Sequence, residues 1–280
     1  MIDNVLLDSS LGRKSGYETK YNPSLLFPIE RAPKRTEIDI DPTNPPFFGI
    51  DLWNHYEVSW LNPKGKPVVA IATIEYDCRS PKIIESKSLK LYFNSLNQTC
   101  FKSVGDVEKT ISKDLSHVLD TTVQVKLLPL SLLTTTELST SIHLSGENID
   151  DLDITCTDYL VRSDLLKTDK KWVEETLNSN LLKSNCLVTN QPDWGSIQIC
   201  YSGPQINRES LLQYIVSFRN HNEFHEQCIE RIFMDILVNC SPTSLMVYGR
   251  YTRRGGIDIN PIRSTEPNVQ SPKNAKLIRQ

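Results

Sequence analysis

SLKLYFNSLNQTCFKSVGDVEKTISKDLSHVLDTTVQV, residues 88–125, decides the fold, because a second stretch of the chain repeats its plan. Shifted by 122 positions, it falls without a gap on residues 210–247. Ser88 meets Ser210, Leu89 meets Leu211, Tyr92 meets Tyr214 and Ser95 meets Ser217. Further on, Glu108 meets Glu230, Leu115 meets Leu237, Thr121 meets Thr243 and Val125 meets Val247. Eight identities in 38 positions carry little weight alone. The predicted elements coincide as well. In the first copy, a helix starts near Ser86 and Ser88, with Leu89, Tyr92, Phe93 and Leu96 on one face. A second helix covers VGDVEKTISKDLSHVL, and TTVQVKLL is a strand. In the second copy, RESLLQYIVSF and EFHEQCIERIFMDIL are helices and TSLMVYGRY a strand. Each copy is preceded by a strand, PVVAIATIEY (67–76, the first clear one) and SIQICY (196–201). The reading is a degenerate tandem duplication: two α+β modules, each an antiparallel sheet with helices on one side.

Around this core the chain is less regular. Residues 1 to about 50 carry Pro23, Pro28, Pro33, Pro42, Pro45 and Pro46 and read as an irregular surface lead-in. Residues 131–183 hold strand-like pieces and a short helix around Trp172 to Leu177, with no role assigned. The division falls at 135/136. Residues 1–135 are the N-terminal module with its lead-in, and 136–280 the C-terminal module.

Bulk properties narrow the function. No run of about 18 apolar residues exists, so no spanning helix is expected. MIDNVLLDSS lacks the basic and apolar regions of a secretory signal. The seven cysteines are scattered without a C-x-x-C pair, which disfavours a disulfide framework or zinc ribbon and suggests a reducing cytoplasm. A net charge of −3 argues against broad nucleic-acid binding.

Four short stretches carry candidate chemistry. In SNCLVTNQPDWGS, Cys186 stands seven residues before Asp193. A lone cysteine is usually a small buried hydrophobe, but this one lies among turn-prone polar residues. Fully extended, the two would be about 23–25 Å apart, so a shared site requires the segment to fold back. Pro192 and Gly195 supply turn chemistry for that. ESKSLKLY (85–92) puts Glu85, Ser86 and Lys87 at a helix start, suited to phosphate or to plain capping. HNEFHEQC (221–228) places His221 and His225 four apart, but Asn222 stands where a zincin needs Glu, so no metal is assigned. RRGG (253–256) offers two guanidinium groups and two glycines, a phosphate site or a basic turn. No G-x-G-x-x-G follows any strand.

Taken together, SNCLVTNQPDWGS, IIESKSLKLYFNS, EFHEQCIERI and YTRRGGIDINP closely resemble the long, two-module form of the nitrile reductase family QueF, NADPH-dependent 7-cyano-7-deazaguanine reductases of queuosine (tRNA modification) biosynthesis. The likeness spans most of the chain, FFGIDLWNHYEVSWLN included. It implies tandem tunnelling-fold (T-fold) modules of ββααββ type, as in GTP cyclohydrolase, assembled as a homodimer with ligands where modules meet. It implies Cys186 as nucleophile forming a covalent thioimide, and Asp193 as proton donor to the nitrile nitrogen. Ile84, Glu85, Ser86, His225 and Glu226 match the substrate-binding positions. Ser86, Lys87, Arg254 and Gly255 match those for the cofactor, NADPH, and Phe224 would cover the bound base. Asn190 departs from the His of some members. The expected substrate is the small molecule 7-cyano-7-deazaguanine, in a cytoplasmic enzyme that engages neither nucleic acid nor membrane. Burial and a nearby thiolate would raise the pKa of Asp193 toward neutrality. Two other readings stay open. One is a cyclohydrolase-like purine or pterin enzyme, which needs a Cys/His zinc set not assembled here; the other is a non-catalytic purine-binding module.

Overall fold

The structure, a computed structural model, describes residues 16–132, 140–267 and 276–280. The first fifteen residues, with the MIDNVLLDSS segment, and the proposed division at 135/136 lie outside the described residues. The first half runs β1 (Pro28–Glu30), α1 (Ala32–Thr36), β2 (Ile50–Leu61), β3 (Pro67–Asp77), β4 (Lys82–Ile84), α2 (Ser86–Ser95), α3 (Val104–Leu119) and β5 (Val123–Pro129). The second runs β6 (Thr140–Ser141), β7 (Glu147–Asn148), β8 (Thr168–Ser179), β9 (Lys183–Asn185), β10 (Pro192–Ile206), α4 (Arg208–Ser217), α5 (His225–Cys240), β11 (Ser244–Tyr251), β12 (Ile257–Ser264) and β13 (Lys276–Leu277).

The repeat is visible in side-chain detail. Ser88 and Ser210 each donate to the carbonyl of their helix N-cap residue, Glu85 and Asn207. Ser95 and Ser217 donate back to Tyr92 and Tyr214, and each accepts an amide from an earlier segment of its own half, Asn22 and Arg162. Tyr92 and Tyr214 donate to Asp114 and Asp235. That last pair is 121 apart, not 122. The buried rows of the second helices agree: Val107, Ile111, Leu115 and Leu119 in α3 match Cys228, Ile232, Ile236 and Cys240 in α5. Both helices then end on a left-handed residue, Asp120 and Ser241. The gapless alignment is therefore one residue out of register there. Glu230 and Leu237 are not the counterparts of Glu108 and Leu115, because burial periodicity outweighs chance identity.

One sheet orders its strands β5-β3-β2-β12-β11-β10-β8-β7, with β9 added to β10. All its pairs are antiparallel except β7 with β8. The β2–β12 ladder joins the halves, with Ile257 opposite His55 and Ile259 opposite Trp53. On β12, Ile257 and Ile259 pack into the first half's core, and Arg263, of the same parity, reaches Glu230 on α5. Alternation along a strand thus puts both helix pairs on one face.

Three expectations fail. The first long strand is β2, not 67–76: FFGIDLWNHYEVSWLN supplies twelve strand residues with a bulge between His55 and Val58. Its polar centre hides the alternation because Asn54 and Tyr56 are spent on Asp258 of the neighbouring strand. The described part of the lead-in is ordered by β1 on β4 and by α1, which buries Arg35. Trp172 to Leu177 is strand, not helix. It lies within β8, where pairing with β10 overrides the helix preference of Lys and Glu.

Candidate active site

The segment 183–194 folds back on itself. β9 pairs with the start of β10, placing Pro192 opposite Asn185 and Asp193 opposite Ser184. The Cys186 amide donates to Gln191 O at 2.8 Å, and Asn190 N donates to Cys186 O at 3.1 Å, closing the loop. Asn190 sits at φ 57, a left-handed conformation that Asn tolerates. Its Oδ1 accepts from Asn222 Nδ2 (2.8 Å), which also donates to Cys186 O (3.2 Å). Ser184 and Asp193 share a ladder position, so their side chains share a face, and Cys186 follows directly after β9. The spacing of seven is thereby a hairpin rather than an extended run.

Asp193 is buried between Arg254 and His225. Arg254 Nη1 lies 3.0 Å from its Oδ1, a charge contact without hydrogen-bond alignment, and His225 Nε2 lies 3.5 Å away. Burial alone would raise its pKa, but His225 and then Arg254 and Lys183 outweigh that and hold the carboxyl below its ordinary range. The expected upward shift is not found, because these neighbours outweigh burial.

His225 opens α5 and meets the Tyr251 ring edge-on at 4.2 Å. The next residue, Glu226, is buried and its pKa is pushed up to about 7 by burial and then by Asp51. Its Oε1 has no hydrogen-bond partner among the described residues. Glu85 differs: its two oxygens accept Lys87 N and Ser88 N, both at 2.7 Å, capping α2. Those two amides are thus engaged by the cap, which leaves the Ser86 and Lys87 side chains as the groups of ESKS that could meet a ligand. Ile84 belongs to the core beneath. Phe224 packs with Ile29, Ile83, Leu187 and Val188 beside the Cys186 loop.

One small cavity is lined by Ser86, His225, Thr252, Arg254, Ile257 and Ile259. The structure so brings Ser86, His225 and Arg254 together, with Asp193 against the last two. Gly255, at φ 63, packs by the Lys90 side chain, and Lys87 follows Ser86 on α2. Arg253 goes elsewhere: it lies over the Tyr56 ring and donates to Gln280 O. The sequence reading missed Thr252, Ile257 and Ile259, which only the β11–β12 turn brings to the cavity, and Lys90, whose closeness to Gly255 has no local signal. A thiol on a hairpin, an acid and a basic turn are residue types that covalent addition and proton transfer can use.

Residues 17–127 match the family model described as "Nitrile reductase, 7-cyano-7-deazaguanine-reductase N-term", and 192–270 match "QueF-like protein". Cys186 falls between the two matches, but relatives cover it. The chain is 62% identical over 277 residues to an NADPH-dependent 7-cyano-7-deazaguanine reductase of Legionella pneumophila (strain Lens), covering 99% of this chain and 96% of that one. Proteins of the same description from Acidovorax ebreus (strain TPSY) and Polaromonas sp. (strain JS666 / ATCC BAA-500) are 55% and 54% identical, each over 97% of this chain and 98% of theirs. The chain belongs to the family of NADPH-dependent 7-cyano-7-deazaguanine reductases.

Proposed function

We propose that this chain reduces the nitrile of 7-cyano-7-deazaguanine to the primary amine with NADPH, through a thioimide on Cys186, in queuosine biosynthesis. The observation that supports the residue assignment is the hairpin, which folds the segment holding Cys186 back along the one holding Asp193, with His225 and Arg254 against the acid. Glu226, with Ile84, Glu85, Ser86 and His225, forms the substrate site. The unpartnered Glu226 oxygen suits the adjacent N–H donors of a guanine-like base, and leaving it unmatched is costly. The fold is read as tandem T-fold modules divided at 135/136, working as a cytoplasmic homodimer.

The donor set fits a phosphate-bearing dinucleotide. Arg254 is a third exposed, its contact with Asp193 lacks hydrogen-bond alignment, and Gly255 beside it adds no Cβ to block a backbone approach. Ser86, Lys87, Arg254 and Gly255 would hold NADPH, and two molecules bound in turn would each supply one hydride to the substrate carbon, four electrons in all.

Asp193 enters the cycle ionised. It takes the proton of the Cys186 thiol as sulfur bonds to the nitrile carbon, then passes it to the nitrogen. One S–C bond forms, one C–N π bond breaks, and no electrons are gained. After the first reduction, the S–C bond breaks and Cys186 returns to the thiol. His225, beside the same carboxyl, orients it and relays protons from outside to the amine nitrogen. The test is intact mass after mixing the chain with 7-cyano-7-deazaguanine alone. An adduct of the substrate's mass on the unmodified chain, absent in Cys186→Ala, is expected. Full NADPH oxidation by Cys186→Ala would sink the mechanism.

A further inference from the structure

The segment Lys276–Gln280 crosses the two strand ends that carry Asp193 and Arg254, and it bonds to both. The Gln280 carboxamide is saturated. Its Oε1 accepts from Arg250 Nε (2.6 Å) and Leu277 N (3.2 Å); its Nε2 donates to Asn260 Oδ1 (2.8 Å) and Tyr251 O (3.0 Å). Its backbone O accepts from Arg253 Nη2 at 2.7 Å. Arg279 Nη2 reaches Asn180 O (2.8 Å), Gly195 O (3.2 Å) and Ser196 Oγ (3.2 Å). Leu277 is buried, and β13 pairs in parallel with β6. Between the two grips, Thr252 N donates to Trp194 O at 2.8 Å, tying the strand ends to each other.

The placement has a consequence for the basic turn. Arg253 and Lys276 share the Tyr56 ring, at 4.1 and 4.2 Å from its centroid. With Arg253 held there and by Gln280, Arg254 is the member of the pair that faces Asp193. Gly195 is two residues beyond Asp193, and Arg253 is one before Arg254. A shift of either strand end passes directly to the acid or its cation.

We propose that Lys276–Gln280 is a positioning clasp: Arg279 holds the strand end after Asp193, and Gln280, through Arg250, Tyr251 and Arg253, holds the turn that aims Arg254. The inference rests on the assignment of Asp193 and Arg254 above. None of the clasp residues lines the cavity of Ser86, His225 and Arg254; they act through the groups they hold. A misplacement of about 1 Å in such a site can lower a rate about 100-fold.

The test compares the unmodified chain with Gln280→Leu, Gln280→Glu, Arg279→Met and Arg279→Lys. Gln280→Glu keeps the oxygen for Arg250 but turns a second oxygen toward two acceptors, so it should behave like Gln280→Leu. Arg279→Lys keeps a donor for Gly195 O and should restore much of what Arg279→Met loses. The readouts are KM for NADPH, kcat, the rate of the Cys186 adduct without NADPH, and Tm. Expected for both Gln280 variants is a KM for NADPH raised about tenfold, adduct formation slowed several-fold, and Tm within a few degrees of the unmodified chain. Unchanged KM and adduct rate in Gln280→Leu and Arg279→Met would overturn the clasp. So would a loss of kcat that follows Tm while KM stays put, or an inactive Arg279→Lys equal to Arg279→Met. If the unmodified chain itself gives neither adduct nor NADPH oxidation, the parent reading fails and the clasp with it. If it gives both and the variants match it, only the clasp fails.

Discussion

Glu226 and Glu223, three residues apart, are both buried and are pushed in opposite directions. Glu223 accepts from Arg231 at 2.7 and 3.0 Å and contacts His221, and these partners outweigh burial to lower its pKa to about 2. Its ordinary value is 4.5. The stability it adds, about 3 kcal/mol, is present above pH 4.5 and lost as pH falls toward 2. Glu223→Gln should therefore lower stability at pH 7 and flatten the acid limb of a urea-midpoint profile; an unchanged acid limb would refute the assignment. Glu226 lacks such partners, and its raised value makes the fold less stable as pH rises from 4.5 through about 7. Binding of a base through its N–H donors needs the ionised form. The apparent Kd for the substrate should then rise toward tenfold per unit as pH drops below about 7, measurable by calorimetry with the Cys186→Ala chain. Glu226→Gln should abolish that dependence and weaken binding about 10- to 100-fold, because an amide N–H faces the base donors.

Between elements, close approach decides more than propensity. Gly49, at φ 141, immediately precedes β2, and a Cβ there would stand 2.0 Å from Ile262 O on β12. Gly49→Ala should cost several kcal/mol, roughly 2–4, by forcing the halves' shared ladder apart, seen as a lower denaturant midpoint. The helices were legible: α3 matches its expected limits, 104–119, because Ser103 caps it and a four-residue apolar rhythm runs its length. The α2 start was legible too, though Glu85 rather than a serine is the cap. Strands were less so. β12, IDINPIRS, was not foreseen, since its buried faces hold Asp258, Asn260 and Arg263, whose partners come from distant segments. Of the candidate site, the residue types were readable from motif. The ionised state of Asp193 was not, for it depends on which cations the fold brings near.

Across the whole molecule, a buried charge cluster pins the lead-in to both halves. Glu230 of α5 is bonded by Arg35 (2.7 Å) and Arg263 (2.9 Å), and Asp51 of β2 by Arg263 (2.8 Å) and Arg31. Three guanidinium groups share two carboxylates, all at most 1% exposed. Glu230→Ala leaves three buried guanidinium groups with one carboxylate, Asp51, and should cost about 3–5 kcal/mol, a fall in Tm of about 10 °C. A Tm loss under 2 °C would show the cluster to be inessential.

By itself the sequence determined the repeated helix pairs, the α+β class and the motif that singles out Cys186, because these rest on local periodicity, capping and residue type. Only the tertiary structure decided the rest. It laid β12 of the second half on β2 of the first, folded 183–194 into a hairpin, turned Arg254 toward Asp193 and Arg253 away, and left Glu226 with an unpartnered oxygen. Those outcomes are set by pairing partners and charges far apart in the chain, which no window of neighbouring residues contains.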